Sequence, residues 1–351
     1  MLRSIIINNF RCYRHLSISH CSRFNLIVGD NAAGKTALLE ALFLTLSGNV
    51  EISIRLRAHR GYDATLGGSF KVIEEALWRD YFFQNDWDRP VNIKLEGLGT
   101  ENRSLNIHRG EESVFISTSG NSDFKDEAAQ SPIVFSWTDS FGKTTDVQPK
   151  ITQKGVEITS SVESRVDAHL FPANQSISAT ETASKFSHLS REGEEGPFVE
   201  IFAKEFPIIS GLSVEVLGGL PVVHATMAGS KRKRPINSIS GGINRSLAIM
   251  LTLATQRQSI VLVDEVENGI YHSHKVPVWR AMADLAREND SQMFITTHDE
   301  EWLKAIVSSG DDILDDVSIW RLEQDTGGNR VLKQFSGEAL KANLGFGGDI
   351  R

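Results

Sequence analysis

The sequence predicts an α/β protein with a mixed sheet core, an antiparallel β region and a helical lobe. Three observations predict it. The apolar run Phe24–Val28 leads into Gly29-Asp30-Asn31-Ala32-Ala33-Gly34-Lys35-Thr36, and apolar residues at helical spacing follow. A second apolar run, Ile260–Val263, ends in Asp264-Glu265, and a third, Gln292–Thr296, ends in Thr297-His298. The first run and the other two lie at opposite ends of the chain, so the core is split in sequence. We divide the chain into residues 1–50, a first half of the core; residues 51–215, an inserted β-rich and helical region; and residues 216–351, the second half.

The elements follow in order. Ser4–Ile7 and Leu16–Ser19 alternate apolar and polar residues, as antiparallel strands do. In Gly-x-x-x-x-Gly-Lys-Thr the glycines permit a tight turn, so that successive N–H groups point inward at phosphates. Lys35 adds a cation for the β/γ oxygens, and the Thr36 hydroxyl suits Mg²⁺. Leu38, Leu39, Leu42, Phe43 and Leu46 predict a helix that Gly48 stops. A helix is predicted over Glu74–Phe83, and short strands such as Val91–Leu95 run from Val91 to about Ser160. Residues Asn174–Gly196, rich in Ser, Glu and Gly, read as loop-heavy. Helix returns at Val199–Phe206, then strand at Leu220–His224, helix at Ser240–Ala254 and strand at Ser259–Val263. Helix Lys275–Arg287 and strand Gln292–Thr296 complete the pattern, and no internal repeat is present.

Composition bounds the answer. At 351 residues the chain exceeds the size at which one core usually stops growing. With 40% hydrophobic and 23% charged residues it has the makeup of a water-soluble globular protein. No apolar run approaches the ~18 residues that span a bilayer, and no signal-peptide core opens the chain. A cytoplasmic protein without membrane attachment is therefore expected. Cys12 and Cys21, the only cysteines, fit free thiols in a reducing compartment. The net charge of −8 argues against a protein that coats nucleic acid, while leaving a local basic site open.

The strand ends supply the chemistry. Asp264 can hold Mg²⁺, and Glu265 can orient and deprotonate an attacking water. No Asn-Lys-x-Asp base-reading motif accompanies them, which weighs against a GTPase. Ser240-Gly241-Gly242 opens a helix 24 positions before Asp264, with Ser240 as N-cap and glycines that let a ligand approach the backbone donors. One phosphate-loop site has no need of it, so it reads as a helix N-terminus offered to the γ-phosphate of another subunit. His298, at a strand end, stands where a γ-phosphate sensor belongs.

These residues together resemble the ATP-binding-cassette (ABC) ATPases of the RecF/SMC group. More narrowly they resemble the ATPase domain of the OLD (overcoming lysogenization defect) family and its stand-alone relatives. The resemblance rests on Asn9-Phe10-Arg11, Gly29–Leu42, Pro221–Ala305 and the run Val317–Leu322. It implies a P-loop ABC ATPase head using ATP and Mg²⁺, with Glu265 and His298 catalytic and Ser240, Gly241 and Gly242 acting in trans across a homodimer. It also implies a metal-binding glutamine in the first lobe, for which Gln84 is the candidate and a surface loop the alternative. Ile270-Tyr271-His272-Ser273 departs from the group's Leu-His-Pro-Ser, and Asp299 replaces a common serine. No Toprim nuclease domain is expected in the chain, and Asp86-Trp87-Asp88 reads as a loop. Arg11 reads as a nucleotide contact or a surface ion pair, and Asp311–Asp316 as an exposed turn. Lys231-Arg232-Lys233-Arg234 reads as a solvated loop or as a contact for DNA or an acidic partner. The implied function is ATP hydrolysis that drives or controls an effector such as a nuclease, or a DNA transaction, in phage defence or repair. The rival is a slowly hydrolysing ATP-dependent scaffold that holds a nuclease or toxin inactive; a transporter ATPase is disfavoured by the insertion.

Overall fold

In a computed structural model the described residues are 1–60, 70–98, 101–110, 113–116, 127–130, 133–152, 155–158, 162, 166–174 and 176–345. The chain opens with strands β1 (Ser4–Phe10), β2 (Tyr13–Ile18) and β3 (Phe24–Gly29). Helices α1 (Lys35–Ser47), α2 (Glu51–His59) and α3 (Phe70–Trp78) come next. They are followed by β4 (Val91–Leu98), β5 (Glu101–Arg109), β6 (Ser113–Ile116), β7 (Glu127–Gln130) and β8 (Ile133–Thr138). Then come β9 (Thr144–Val147), β10 (Lys150–Thr152), β11 (Gly155–Glu157) and β12 (Ala168–Phe171). Helices α4 (Ala179–Glu192) and α5 (Glu195–Glu205) precede β13 (Ile209–Leu217), β14 (Leu220–Met227) and β15 (Lys233–Pro235). The last part holds α6 (Gly241–Thr255), β16 (Ile260–Val263), α7 (Lys275–Glu288), β17 (Gln292–Thr296) and α8 (Glu300–Ser308). It closes with α9 (Asp311–Leu314), β18 (Val317–Gln324), β19 (Arg330–Ser336) and α10 (Gly337–Gly345).

Two compact units result. One comprises Met1–Cys21, Asp30–Ala168 and Leu322–Lys333; the other comprises Ser22–Gly29, His169–Arg321 and Gln334–Arg351.

The first unit holds an antiparallel sheet in the order β2-β1-β4-β5-β8-β9 and a smaller one in the order β11-β10-β7-β6. Alternation along β1 buries Ile5 and Ile7, as a sheet with one covered face requires. Helix α1 packs on β4 and β5 and buries Leu38, Leu39, Leu42 and Leu46. Gly48 ends it at φ 63°, where a Cβ would meet the Val162 carbonyl at 2.7 Å. Arg11 forms ion pairs within the first unit, and its side chain is 7% exposed. Its buried guanidinium pairs with Glu40 and Asp80 at 2.8 Å each and lies 4.6 Å from the Tyr81 ring. Arg60 grips the same Glu40 through two bonds of 2.8 and 2.7 Å. A carboxylate only 3% exposed needs such charge-assisted partners. The predicted Glu74–Phe83 helix is α3 followed by a 3₁₀ turn, Arg79–Tyr81.

In the second unit the sheet runs β12-β16-β17-β3-β18, with β16, β17 and β3 parallel. Every residue of β3, β16 and β17 is buried, as helices on a parallel sheet demand. Leu26, Val261, Ile295, Leu247, Met250, Trp279 and Phe202 share one apolar core. The register pairs Val263 with Ile295 and Thr296 with Ile27, so the three strands end at one edge. That edge is where ligands meet open α/β sheets.

Two expectations fail here. Residues Asn174–Gly196 hold helix α4, capped by the Ser178 hydroxyl, which accepts from Glu181 N at 3.2 Å, and stopped by Gly193 at φ 79°. Its Ser, Thr and Glu residues cover a stripe of Thr182, Ala183, Phe186 and Leu189 that is buried. Residues Asp311–Asp316 include the short helix α9, with Ile313 and Leu314 buried and Asp312 and Asp316 paired to Arg287.

Candidate nucleotide site

The phosphate loop starts where β3 ends, at Gly29. Within the loop Ala33 N donates to the Asp30 carbonyl at 3.1 Å, and Ala32 takes φ 63°. The Ala32 carbonyl accepts from Arg330 Nη2 at 2.9 Å. Gly34 has φ 112°, and a Cβ there would lie 2.7 Å from Tyr13 Oη and 2.8 Å from Cys12 Sγ, so only glycine fits. The Tyr13 hydroxyl donates to the Gly34 carbonyl at 2.9 Å. Burial pushes the Tyr13 phenol well above its ordinary value, and also raises the Cys12 thiol. Lys35, 8% exposed, donates from Nζ to the Asp30 carbonyl at 3.1 Å. Asp30, Asn31 and Thr36 are exposed. The first turn of α1 carries no acidic residue and no side-chain cap, which keeps its N-terminus suited to an anion.

In the second unit one hydroxyl organises the acids. Thr296 Oγ1 donates to Asp264 Oδ1 at 2.6 Å and accepts from Glu265 N at 2.8 Å. Asp264 is 5% exposed and Thr296 fully buried. Glu265 sits at φ 49°, in the left-handed region that costs a non-glycine residue about 1–3 kcal/mol. Asn268 Nδ2 donates to Glu265 Oε2 at 3.0 Å, which fixes the carboxylate's direction. Arg245, 5% exposed, donates to the carbonyls of Pro172, Phe171 and Asp264 at 2.7, 3.1 and 2.6 Å. Burial lowers its guanidinium from the ordinary value. It ties α6 to the end of β16.

Ser240 caps α6 with φ −160°, and its Oγ accepts from Ile243 N at 3.5 Å. The two glycines differ. A Cβ on Gly241 meets nothing within 4 Å, whereas one on Gly242 would lie 1.7 Å from the Gly269 carbonyl oxygen. Gly242 therefore packs α6 on the turn after Glu265, and Gly241 keeps the helix start open.

His298 is half exposed, and both its backbone N and its Nδ1 lie 2.9 Å from Glu267 Oε1. Gln84 is exposed, at φ 55° in the 3₁₀ turn Phe83–Asn85 of the first unit. Asp86-Trp87-Asp88 forms a loop in which Asp86 pairs with Arg89. Lys231, Arg232, Lys233 and Arg234 are all exposed. Lys233 and Arg234 belong to strand β15, and Lys233 pairs with Glu215 at 2.5 Å. Among the described residues no helix is long and apolar enough to cross a membrane.

Sequence reasoning missed Thr296, Arg245 and Glu267. A charged residue inside the apolar stretch of α6 was the available signal for Arg245. Nothing local distinguishes Thr296 from an ordinary strand-end threonine.

Known proteins agree with this architecture. A protein from Helicobacter pylori named "ATP/GTP phosphatase" is 20% identical over 353 residues, covering 93% of each chain. The DNA replication and repair protein RecF of Agathobacter rectalis is 49% identical over 106 residues, 30% of this chain and 27% of that protein. The structural maintenance of chromosomes protein 6 of Takifugu rubripes is 36% identical over 78 residues, and the match spans 7% of that protein's length. Among solved structures, the Smc head bound to the C-winged helix domain of ScpA superposes with a TM-score of 0.51. It is 16% identical and covers 95% of this chain and 97% of that one. The family model described as "AAA domain, putative AbiEii toxin, Type IV TA system" matches residues 24–303. The chain belongs to that AAA-domain family and has the fold of an ABC-type ATPase head of the RecF/SMC group.

Proposed function

We propose that this chain hydrolyses ATP with Mg²⁺ as a head-to-tail homodimer and uses the cycle to control an effector protein, such as a nuclease, or a DNA transaction. The observation that carries the reading is the Thr296 hydroxyl, which joins the Asp264 carboxylate to the Glu265 backbone at the carboxyl edge of the parallel sheet. Asp264 and Thr36 offer the hard oxygens that Mg²⁺ prefers, and the ion, when bound, would draw charge from the β and γ phosphate oxygens. The backbone of the phosphate loop and Lys35 bind the phosphates. Glu265, aimed by Asn268, accepts the proton of the attacking water. His298 meets the γ-phosphate.

In this reading the open backbone at Gly241 and the Ser240 hydroxyl receive the γ-phosphate held by the partner subunit. The name of the Helicobacter pylori relative supports hydrolysis, and the Smc head's complex with ScpA supports a protein partner. DNA or an acidic partner would be met at Lys231–Arg234. The test of the shared site is complementation. Ser240→Arg should keep nucleotide binding and lose hydrolysis, since one preorganised donor is worth about 3 kcal/mol to the transition state. Mixed with Lys35→Ala protein it should recover part of the activity through one intact composite site. No recovery in heterodimers shown to form would mean that each site is completed within one chain.

A further inference from the structure

We propose that Glu267 is a positioning residue for His298, fixing the ring's orientation and its protonated nitrogen. The proposal rests on the reading of this site as an ATPase. Glu267 and His298 come from different strand ends, the first after β16 and the second after β17. A backbone bond joins the two segments, Val266 N donating to the Thr296 carbonyl at 3.2 Å, and within the first segment Ile270 N closes the turn on the Glu267 carbonyl at 3.0 Å. On that frame Glu267 Oε1 accepts from His298 N at 2.9 Å and faces His298 Nδ1 at the same distance. A carboxylate oxygen only accepts, so Nδ1 carries the proton whether the ring is neutral or charged. Nε2 is then the nitrogen left for a phosphate oxygen or the attacking water, on a ring that is half exposed.

A second observation separates this contact from ordinary packing. The Glu267 side chain is 8% exposed, and its other oxygen, Oε2, is buried without a hydrogen-bond partner. Burying a carboxylate with one oxygen unsatisfied is costly. Such costs collect where orientation of a working group matters. The turn is also kept from shifting, because Gly269 lies against the backbone of Gly242.

The test reads the imidazole directly. In ¹⁵N-histidine-labelled protein at about pH 8.5, two units above the ordinary histidine value, the His298 signal is identified by its loss in His298→Gln. The wild type should show Nδ1 protonated and Nε2 bare, and Glu267→Gln, whose amide oxygen still accepts, should keep that tautomer. Glu267→Ala should shift the proton toward Nε2 and lower kcat about 10–100-fold, with KM for ATP within about threefold. An Nε2-protonated His298 in the wild type would overturn the proposal. So would a Glu267→Ala protein that loses kcat without moving the tautomer, since Glu267 would then be structural only. If no protein hydrolyses ATP, the ATPase reading fails, while the tautomer still decides whether Glu267 orients the ring.

Discussion

Replacing Thr296 with valine keeps the shape of the side chain and removes one hydroxyl. The structure gives that hydroxyl two partners. One is a carboxylate at 2.6 Å, and hydrogen bonds to charged groups are worth about 1.5–3 kcal/mol; the other is an amide at 2.8 Å, worth about 1 kcal/mol. Thr296 is fully buried, so water does not replace either bond. Valine should therefore cost about 3 kcal/mol in urea unfolding, a midpoint shift of about 1 M if the slope is about 3 kcal/mol per molar. A double-mutant cycle with Asp264→Ala isolates the carboxylate share and should return a coupling of about 2 kcal/mol. Hydrolysis should fall as well, because Glu265 loses a bond that holds its left-handed backbone. A loss below about 0.5 kcal/mol, or a coupling near zero, would refute the idea that Thr296 organises the two acids.

Further outcomes follow from the same geometry. Gly242→Ala forces a Cβ onto the Gly269 carbonyl and should lower thermal stability by at least about 1–3 kcal/mol, whereas Gly241→Ala, with open space around it, should be nearly neutral. Burial pushes the Asp299 carboxyl up, but the hydrogen bond from Lys275 outweighs this and leaves it below the usual range. A depressed folded-state value stabilises the protein above the ordinary aspartate value, about 3.9, and the gain is lost as pH falls through the folded value. Lys275→Met should therefore flatten the acid side of a stability–pH profile, and an unchanged profile would contradict the pairing. Neutralising Lys231, Arg232, Lys233 and Arg234 together should weaken DNA or partner binding and reduce its salt dependence while unstimulated ATP turnover stays near normal. Unaltered binding would assign that run to the solvated edge of its sheet.

What could be read from the sequence was whatever depends on neighbours in the chain. The phosphate loop, the buried strands β3, β16 and β17 and the capped helix α6 each announce themselves within a few residues. The site's supporting contacts do not. Glu40 gathers Arg11 and Arg60 from 29 and 20 positions away, and Thr296 reaches Asp264 across 32. The stretch that forms helix α4 reads as a loop because its polar face dominates its composition, although Ser178 caps it by accepting from Glu181 N and the apolar residues keep helical spacing. The acidic stretch 311–316 reads as an exposed turn for the same reason, its two buried apolar residues lying among four aspartates.

The central claim is that Glu265 activates the water that attacks ATP, and single-turnover hydrolysis tests it most directly. Wild-type protein and Glu265→Gln are each loaded with ATP and Mg²⁺, and released phosphate and molecular mass are followed together. We expect the wild type to release phosphate, and Glu265→Gln to bind ATP, persist as a dimer and hydrolyse at least about 100-fold more slowly, the share of a general base. Hydrolysis by Glu265→Gln at the wild-type rate would contradict the account.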